Sequence, residues 1–164
     1  MSREGRPDDE SSGNDHDSAV ERLVSELDVD ASCETDTPVA RAVEDATSAL
    51  NGSDEFGFDE DHVKASLDDL LVALVALRST DTHGKQLLDD LAGEFGTALS
   101  PGTVYPRLHD LCEGGPLERR ELVKTKEYTL EDETEVSEDI AAAARQHLTL
   151  GMIFRAALEH GDFE

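Results

Sequence analysis

The basic side chains of this chain are concentrated in one short stretch. Arg119, Arg120, Lys124 and Lys126 place four cations within eight residues of a protein that has only 14 basic against 39 acidic side chains and a net charge of -25. Such a density of cations is typical of a surface that binds phosphate groups. The alternative is a solvated hairpin whose own glutamates neutralise it. The choice depends on the elements that position these residues.

Histidine and cysteine show no spacing typical of a catalytic or metal site. His109 and Asp110 are adjacent, so they should diverge on a helix and not form a base with an orienting acid. Cys33 and Cys112 are too few for a disulfide framework, and no C-x-x-C or H-x-x-x-H pair is present. We expect no enzyme activity, no cofactor and no metal site. Cys112, on an apolar stripe, is expected to pack in the core.

Acidic charge is distributed unevenly. Residues 1–61 carry 4 basic and 19 acidic side chains and residues 131–164 carry 2 and 9, whereas residues 62–130 carry 8 and 11. The near-neutral middle is therefore the part on which an anion could bind. Acidic residues also cover the predicted helices, and only four residues are lysine. The composition favours adaptation to high salt over an ordinary protein with an acidic tail.

These composition shifts predict an acidic N-terminal extension over 1–61, a domain over 62–130 and a C-terminal helix over 131–164. Within the extension, residues 1–17 are predicted to be disordered, and Ser18 opens an S-x-x-E capping box before a short amphipathic helix.

A second short helix should start at Thr37-Pro38 and end at Asn51-Gly52. The longest apolar run, from Leu70 to Leu77, is far too short to span a membrane, and no signal peptide is visible. A cytoplasmic protein is expected.

The middle of the chain predicts three helices in succession. Leucines at 67, 70, 71, 74 and 77 mark a helix over 62–78, and residues 79–83 are expected to form a turn. A second helix runs from about Leu87 to Gly96, and a third ends at Gly114-Gly115. Pro106 would delete a hydrogen bond inside the third helix, so regular helix is expected to begin nearer Thr103 or to kink at the proline.

The first turn of the third helix could hold a phosphate. Ser100 is placed to cap it, and the amides that follow carry the positive end of the helix dipole. Gly102 would allow the backbone to approach a sugar-phosphate chain closely. The opposite face, with Val104 and Leu108, is apolar and should pack on the core.

The remainder predicts a hairpin and one long helix. Leu117–Val123 and Lys126–Leu130 are short β-rich runs with a tip near Lys124-Thr125. A helix from about Thr134 to His160 would span roughly 37 Å, longer than a small domain needs. A mainly α chain with a small β-hairpin in this order is typical of a winged helix-turn-helix with a long C-terminal association helix.

The segment Leu99–Leu108, with the sequence LSPGTVYPRL, closely resembles the recognition-helix signature of PadR-like transcription regulators. His83-Gly84, Glu113–Glu118 and Tyr128–Leu130 are similar to the family's second helix, its turn into the wing and its strand end. The resemblance covers residues 67–130. The tip Lys124–Lys126 carries fewer basic residues than a usual wing of the family.

The resemblance implies a homodimeric, sequence-specific regulator of the short PadR-like type with a single C-terminal helix, more often a repressor. Its third helix would lie in the major groove of double-stranded DNA and its wing beside the backbone. The residues expected to contact DNA are Ser100, Gly102, Thr103, Tyr105 and Arg107 by the resemblance, and Arg119, Arg120, Lys124 and Lys126 by charge and position. Those expected to form the dimer are Val136, Ile140, Ala144, Leu148, Phe154 and Leu158.

Two other functions stay open. The acidic segment 1–61 and the long C-terminal helix could form a protein-interaction module. A pocket between two C-terminal helices could bind a small-molecule effector, although nothing in the sequence names one. A redox sensor is a weaker form of the second alternative, because Cys33 has no basic neighbour to stabilise a thiolate.

Overall fold

The computed structural model describes residues 37–51, 56–78 and 82–162, which form six helices and three short strands. In chain order these are α1 Pro38–Asn51, α2 Glu60–Ala65, α3 Leu67–Arg78, β1 Thr82–His83, α4 Gly84–Gly93, α5 Pro101–Cys112, β2 Leu117–Glu121, β3 Lys126–Leu130 and α6 Glu133–His160. A mainly α chain with a small antiparallel sheet is confirmed. The predictions for residues 1–36 lie outside the described residues.

Helix α3 is the centre of the core. Leu71 and Leu74 are fully buried, and Val72 and Val75 on other sides of the helix are buried as well. Helices α1, α4, α5 and α6 and strand β3 all contact α3, so it is covered nearly all round and not along one stripe. Val39 of α1 is part of this same core.

The predicted helix over 62–78 is interrupted at Ser66. The Ser66 φ and ψ angles of -105° and 15° lie outside the α-helical range and separate α2 from α3. Hydrogen bonding continues across the break, because the Ser66 amide donates to the His62 carbonyl and the Leu70 amide donates to the Ser66 carbonyl. A single distorted residue leaves the leucine spacing unchanged, so periodicity could not detect it. Asp59 caps α2, because its carboxylate accepts from the Asp61 and His62 amides.

The sheet has the order β1-β3-β2, with both pairs antiparallel. The predicted hairpin is confirmed, and its turn closes where the Leu122 amide donates to the Thr125 carbonyl at 2.8 Å. The prediction of a turn over 79–83 was wrong for Thr82 and His83, which form β1 opposite Tyr128 and Glu127. The pairing partner of this two-residue strand is distant in sequence, so the local sequence pattern does not predict the strand.

Helix α5 begins at Pro101, so the prediction of a start nearer Thr103 was wrong. Pro101 occupies the first turn, where the missing N–H costs nothing, and Pro106 lies inside the helix. The missing Pro106 N–H would have bonded the carbonyl of Gly102. Gly102 is exposed, so water can bond that carbonyl instead. Ser100 holds the N-cap position, but its hydroxyl contacts Thr103 Oγ1 at 3.1 Å and not a helix amide.

A bidentate ion pair joins the end of α3 to α4. Arg78 donates from Nε and Nη2 to the two carboxylate oxygens of Asp90 at 2.7 and 2.6 Å. The side chains are only 17% and 7% exposed. The hydrogen bond to Asp90 raises the pKa of Arg78 above its usual value. This pair fixes α4 against α3.

Helix α6 starts on the core and then leaves it. Asp132 caps it by accepting from the Thr134 and Glu135 amides, and Val136 is its one buried residue. From residue 141 to 160 every residue except Ala143 is exposed. Among the helices described, none combines the length and apolarity needed to cross a membrane.

Candidate nucleic-acid interface

The outer face of α5 presents the Tyr105-Pro106-Arg107 triplet to solvent. Val104 and Leu108 are completely buried beneath it, and this division of the helix holds the triplet outward. Gly102 is exposed and Thr103 is half-buried at the start of the same helix. The predicted contact residues of α5 therefore lie on one accessible face, as a groove-binding helix requires.

Tyr105 leans across the start of α4. Its ring lies against Gly84, and a Cβ added at Gly84 would overlap Tyr105 Cε1 and come within 3.1 Å of Tyr105 Oη. Glycine at this position therefore lets the ring pack between the two helices while 40% of Tyr105 stays exposed.

Replacing Gly84 with Ala is expected to displace the Tyr105 ring and to lower the free energy of unfolding by about 1–3 kcal/mol. Gly93→Ala is the matched control at the other end of α4, where no described atom lies within 4 Å of an added Cβ. We expect that change to be neutral or to stabilise by up to about 1 kcal/mol. Urea denaturation measures both. The loss of unfolding free energy caused by Gly84→Ala should vanish in a Tyr105→Ala background. A loss that persists there would contradict the proposed overlap between the added Cβ and the Tyr105 ring.

Arg107 is partly engaged by α3. Its Nη1 donates to Asp68 Oδ2 at 3.1 Å, and both side chains are about half exposed. The second oxygen, Asp68 Oδ1, is buried and has no hydrogen-bond partner among the described residues. The ion pair orients Arg107 along the outer face and leaves the rest of its guanidinium available to an anion.

A cleft of about 810 Å³ separates α5 from the hairpin. Its apolar surfaces come from Tyr105, Pro106, Leu122 and Tyr128. Basic and titratable side chains surround them, and among the described residues Glu121 is the one acidic residue that lines the cleft. These polar residues are His83, Lys85, His109, Arg119, Lys124 and Lys126.

Strand geometry divides the predicted hairpin cations between two faces. Side chains alternate along a strand, so Arg119 and Lys126 lie on the cleft side, where Arg119 is opposite Tyr128. Arg120 lies on the other side, opposite Glu127, and the structure does not bring it into the cleft. Arg119 approaches Glu121 at 3.6 Å. Arg120, Lys124 and Lys126 have no ion-pair partner within the described ranges.

The chain is similar in sequence to three proteins that are named transcriptional activators. It is 34% identical over 128 residues to the transcriptional activator GvpE of Haloferax mediterranei, an alignment that covers 76% of this chain and 65% of the relative. It is 35% identical over 128 residues to the transcriptional activator GvpE1 of Halobacterium salinarum, with the same coverage. GvpE2 of the same organism is 34% identical over 103 residues, or 63% of this chain and 53% of the relative.

The chain thus spans just under two thirds of the length of the curated relatives GvpE and GvpE1. All three relatives come from halophilic archaea. No protein-family model matches the chain, so the resemblance to PadR-like regulators stays a prediction. No solved structure matches either.

Three of the lysine and histidine side chains that line the cleft were not predicted as site residues from the sequence. His83 and Lys85 enter it because β1 and α4 lie beside the hairpin, and His83 Nδ1 lies 3.3 Å from the Lys126 carbonyl. His109 enters it from α5. The sequence offered one signal for these residues, because Lys85 is a lone cation next to the His83-Gly84 motif.

At the end of α5, the expectation that the His109 and Asp110 side chains diverge was wrong. His109, Asp110 and Glu113 bring their ligand atoms within 4.8 Å of one another, although adjacent residues were expected to diverge. Long side chains at the end of a helix can converge beyond its last turn. All three are exposed, and His109 lies 3.6 Å from Glu113. This surface grouping gives no further sign of a metal.

Cys112 is half-buried beside the sheet. Burial raises the pKa of its thiol above the usual value, with a small opposing effect from Arg119. The thiol is therefore protonated at neutral pH and reacts slowly as a nucleophile. This disfavours a redox sensor at Cys112.

Proposed function

We propose that this protein is a transcription regulator that binds double-stranded DNA through α5 and the β2–β3 hairpin. One observation carries the proposal: a cleft rich in cations lies between an exposed helix and a hairpin in a protein whose net charge is -25. In so acidic a chain, a local excess of basic groups marks the surface at which a polyanion is least repelled. The names of the relatives support regulation of transcription.

The order of elements supports a winged helix-turn-helix. Helices α3, α4 and α5, with β1 between the first two, precede a hairpin that pairs with β1. In that architecture α5 would enter the major groove and the hairpin would lie against the backbone. Tyr105 and Arg107 would then face base edges or sugars, while Lys124 and Lys126 would face phosphates.

The proposed direction of regulation is activation. The PadR-like resemblance implied a repressor, but the relatives are named activators. An activator of this kind acts by binding alone, so the proposal includes no enzyme activity. The proposal also includes a cytoplasmic location, where the protein would meet the DNA that it binds.

The proposal includes a homodimer formed through α6. Large apolar side chains on this helix are exposed, including Leu148, Phe154 and Leu158. Soluble proteins rarely leave such a patch uncovered. Of the predicted dimer residues, Val136 is the exception, because it lies in the core of its own protomer. Ile140 packs partly against that core.

Arg107→Ala and Tyr105→Ala should each weaken binding to the cognate site by roughly 5- to 150-fold, which corresponds to the loss of about 1–3 kcal/mol of contact energy. The site is first recovered by chromatin immunoprecipitation with sequencing, and affinity is then measured by fluorescence anisotropy. Arg145→Ala, the same change on exposed α6, is the matched control and should leave affinity unaltered. Equal affinity of all three variants, each folded and of wild-type oligomeric state, would overturn the proposed interface.

A further inference from the structure

The face of α6 that packs on the core continues beyond it. Val136 and Ile140 pack against the body of the protomer. At intervals of three or four residues the same helical face then carries Ala144, His147, Gly151, Phe154 and Leu158. Leu158 is 74% exposed and Phe154, on the same face, is 65% exposed. This stripe, which is apolar apart from His147, is therefore buried at its start and uncovered at its end.

Gly151 interrupts this stripe in the middle of the exposed part. Glycine inside a helix lowers helix stability relative to alanine. Within the protomer nothing accounts for it, because no described atom lies within 4 Å of a Cβ built at this position. A close approach by a second helix from outside would account for it, since glycine lets two helix backbones come near each other.

An apolar groove lies beside the first part of the same stripe. It has a volume of about 380 Å³, and α2, α3, α6 and Phe95 line it. Phe58, Val63 and Leu70 form one wall, and Ile140 and Ala144 form the other. Ala144 lies seven residues before Gly151, and Leu158 lies seven residues after it.

We propose that two copies of this chain pair through antiparallel α6 helices that cross at Gly151, with Leu158 of each copy inserted into the groove beside Ala144 of the other. This inference rests on the homodimer of the proposed function and adds its geometry. Under a two-fold axis at Gly151, residues at equal distances from it face each other. Leu148 then meets the partner's Phe154, and small Ala144 meets the partner's large Leu158.

Self-complementarity selects a second copy over a different partner. A parallel pairing would place each Leu158 against itself and would leave both grooves empty. The antiparallel pairing fills both grooves and covers both exposed ends with the same contacts. The high negative charge of each copy opposes association, so the dimer should strengthen as salt screens that charge.

A matched pair of substitutions tests the contact in the full chain. Leu158→Asp would bury a carboxylate in the groove and should raise the dimer dissociation constant at least about 100-fold. Ile153→Asp changes another exposed apolar residue, about 140° round α6 from Leu158, and should alter the dissociation constant less than about threefold. Sedimentation equilibrium in molar KCl measures the dimer dissociation constant of each variant. Equal effects would overturn the proposal.

Distance measurement separates the geometry from dimerisation itself. A spin label at Glu138→Cys, in a Cys33→Ser, Cys112→Ser background, lies 13 residues before the crossing point. Antiparallel pairing predicts about 39 Å along the helix axis between labels, whereas parallel pairing predicts about 10–20 Å. A dimer with the short distance would overturn this proposal and leave the homodimer intact. A monomer in molar KCl would overturn the homodimer as well.

Discussion

Asp90→Ala is expected to lower the free energy of unfolding by about 3–5 kcal/mol, because it would leave Arg78 charged, mostly buried and unpaired. Among the residues that the structure describes, Asp90 is the one charged residue that is buried. The Arg78 guanidinium cannot discharge at ordinary pH, so it must either stay desolvated without a partner or pull the end of α3 toward water. Both outcomes loosen α3 from α4, and urea denaturation measures the loss.

Asp89→Ala is the matched control, one residue away on the same helix. Asp89 pairs with Lys85 at 2.9 Å, but these side chains are 63% and 83% exposed. Such a surface pair contributes about 0–1 kcal/mol, and salt should remove even that. The difference between the two variants should therefore persist in molar KCl. If Asp90→Ala cost no more than Asp89→Ala at any salt concentration, the Arg78–Asp90 pair would not be what fixes α4.

The second large effect concerns salt. DNA binding usually weakens steeply with salt, with a log–log slope near -0.9 for each phosphate contact. Five cations lie on α5 or in the cleft, and Arg120 on the outer side of the hairpin makes a sixth beside the candidate interface. Three of the six already have carboxylate partners: Lys85 with Asp89, Arg107 with Asp68 and Arg119 with Glu121. When DNA displaces such a carboxylate, the carboxylate can take up a cation from solution. That uptake offsets the counterion released from the phosphate.

We therefore expect a slope near -3 per protomer at most, where six uncompensated contacts would give about -5. Anisotropy titrations from 0.1 M to molar KCl measure it. Glu121→Gln and Asp89→Asn remove two of the compensating carboxylates, so each should steepen the slope by up to about 0.9 and raise affinity at low salt. Glu138→Gln, on α6 and away from the cleft, should change neither. A slope of -5 or steeper in the unmodified protein would contradict the proposed uptake of cations by the displaced carboxylates.

The sequence was sufficient to predict the elements that carry strong local signals. The buried spacing of Val104 and Leu108 predicted which face of α5 is exposed. Alternation and turn residues predicted the hairpin to within a residue or two, and the apolar positions from Val136 to Leu158 predicted α6. These features depend on periods of two and 3.6 residues, which a sequence displays directly.

Features that depend on distant partners were missed. Strand β1 exists because β3 pairs with it, and Lys85 enters the cleft because that pairing brings α4 beside the hairpin. The placement of Arg120 outside the cleft follows from the pairing register and not from its charge. The start of α5 was misplaced because Pro106 looked forbidden inside a helix, although an exposed Gly102 lets the interruption be solvated.

Hydrogen–deuterium exchange of the full chain, with and without the recovered duplex, tests the central claim most directly. The interface predicts slower exchange over residues 101–110 and 119–126 when DNA is bound, with the α6 residues 141–160 unchanged at a constant degree of dimerisation. Saturating DNA that protects α6 or the N-terminal extension, and leaves α5 and the hairpin unprotected, would contradict it.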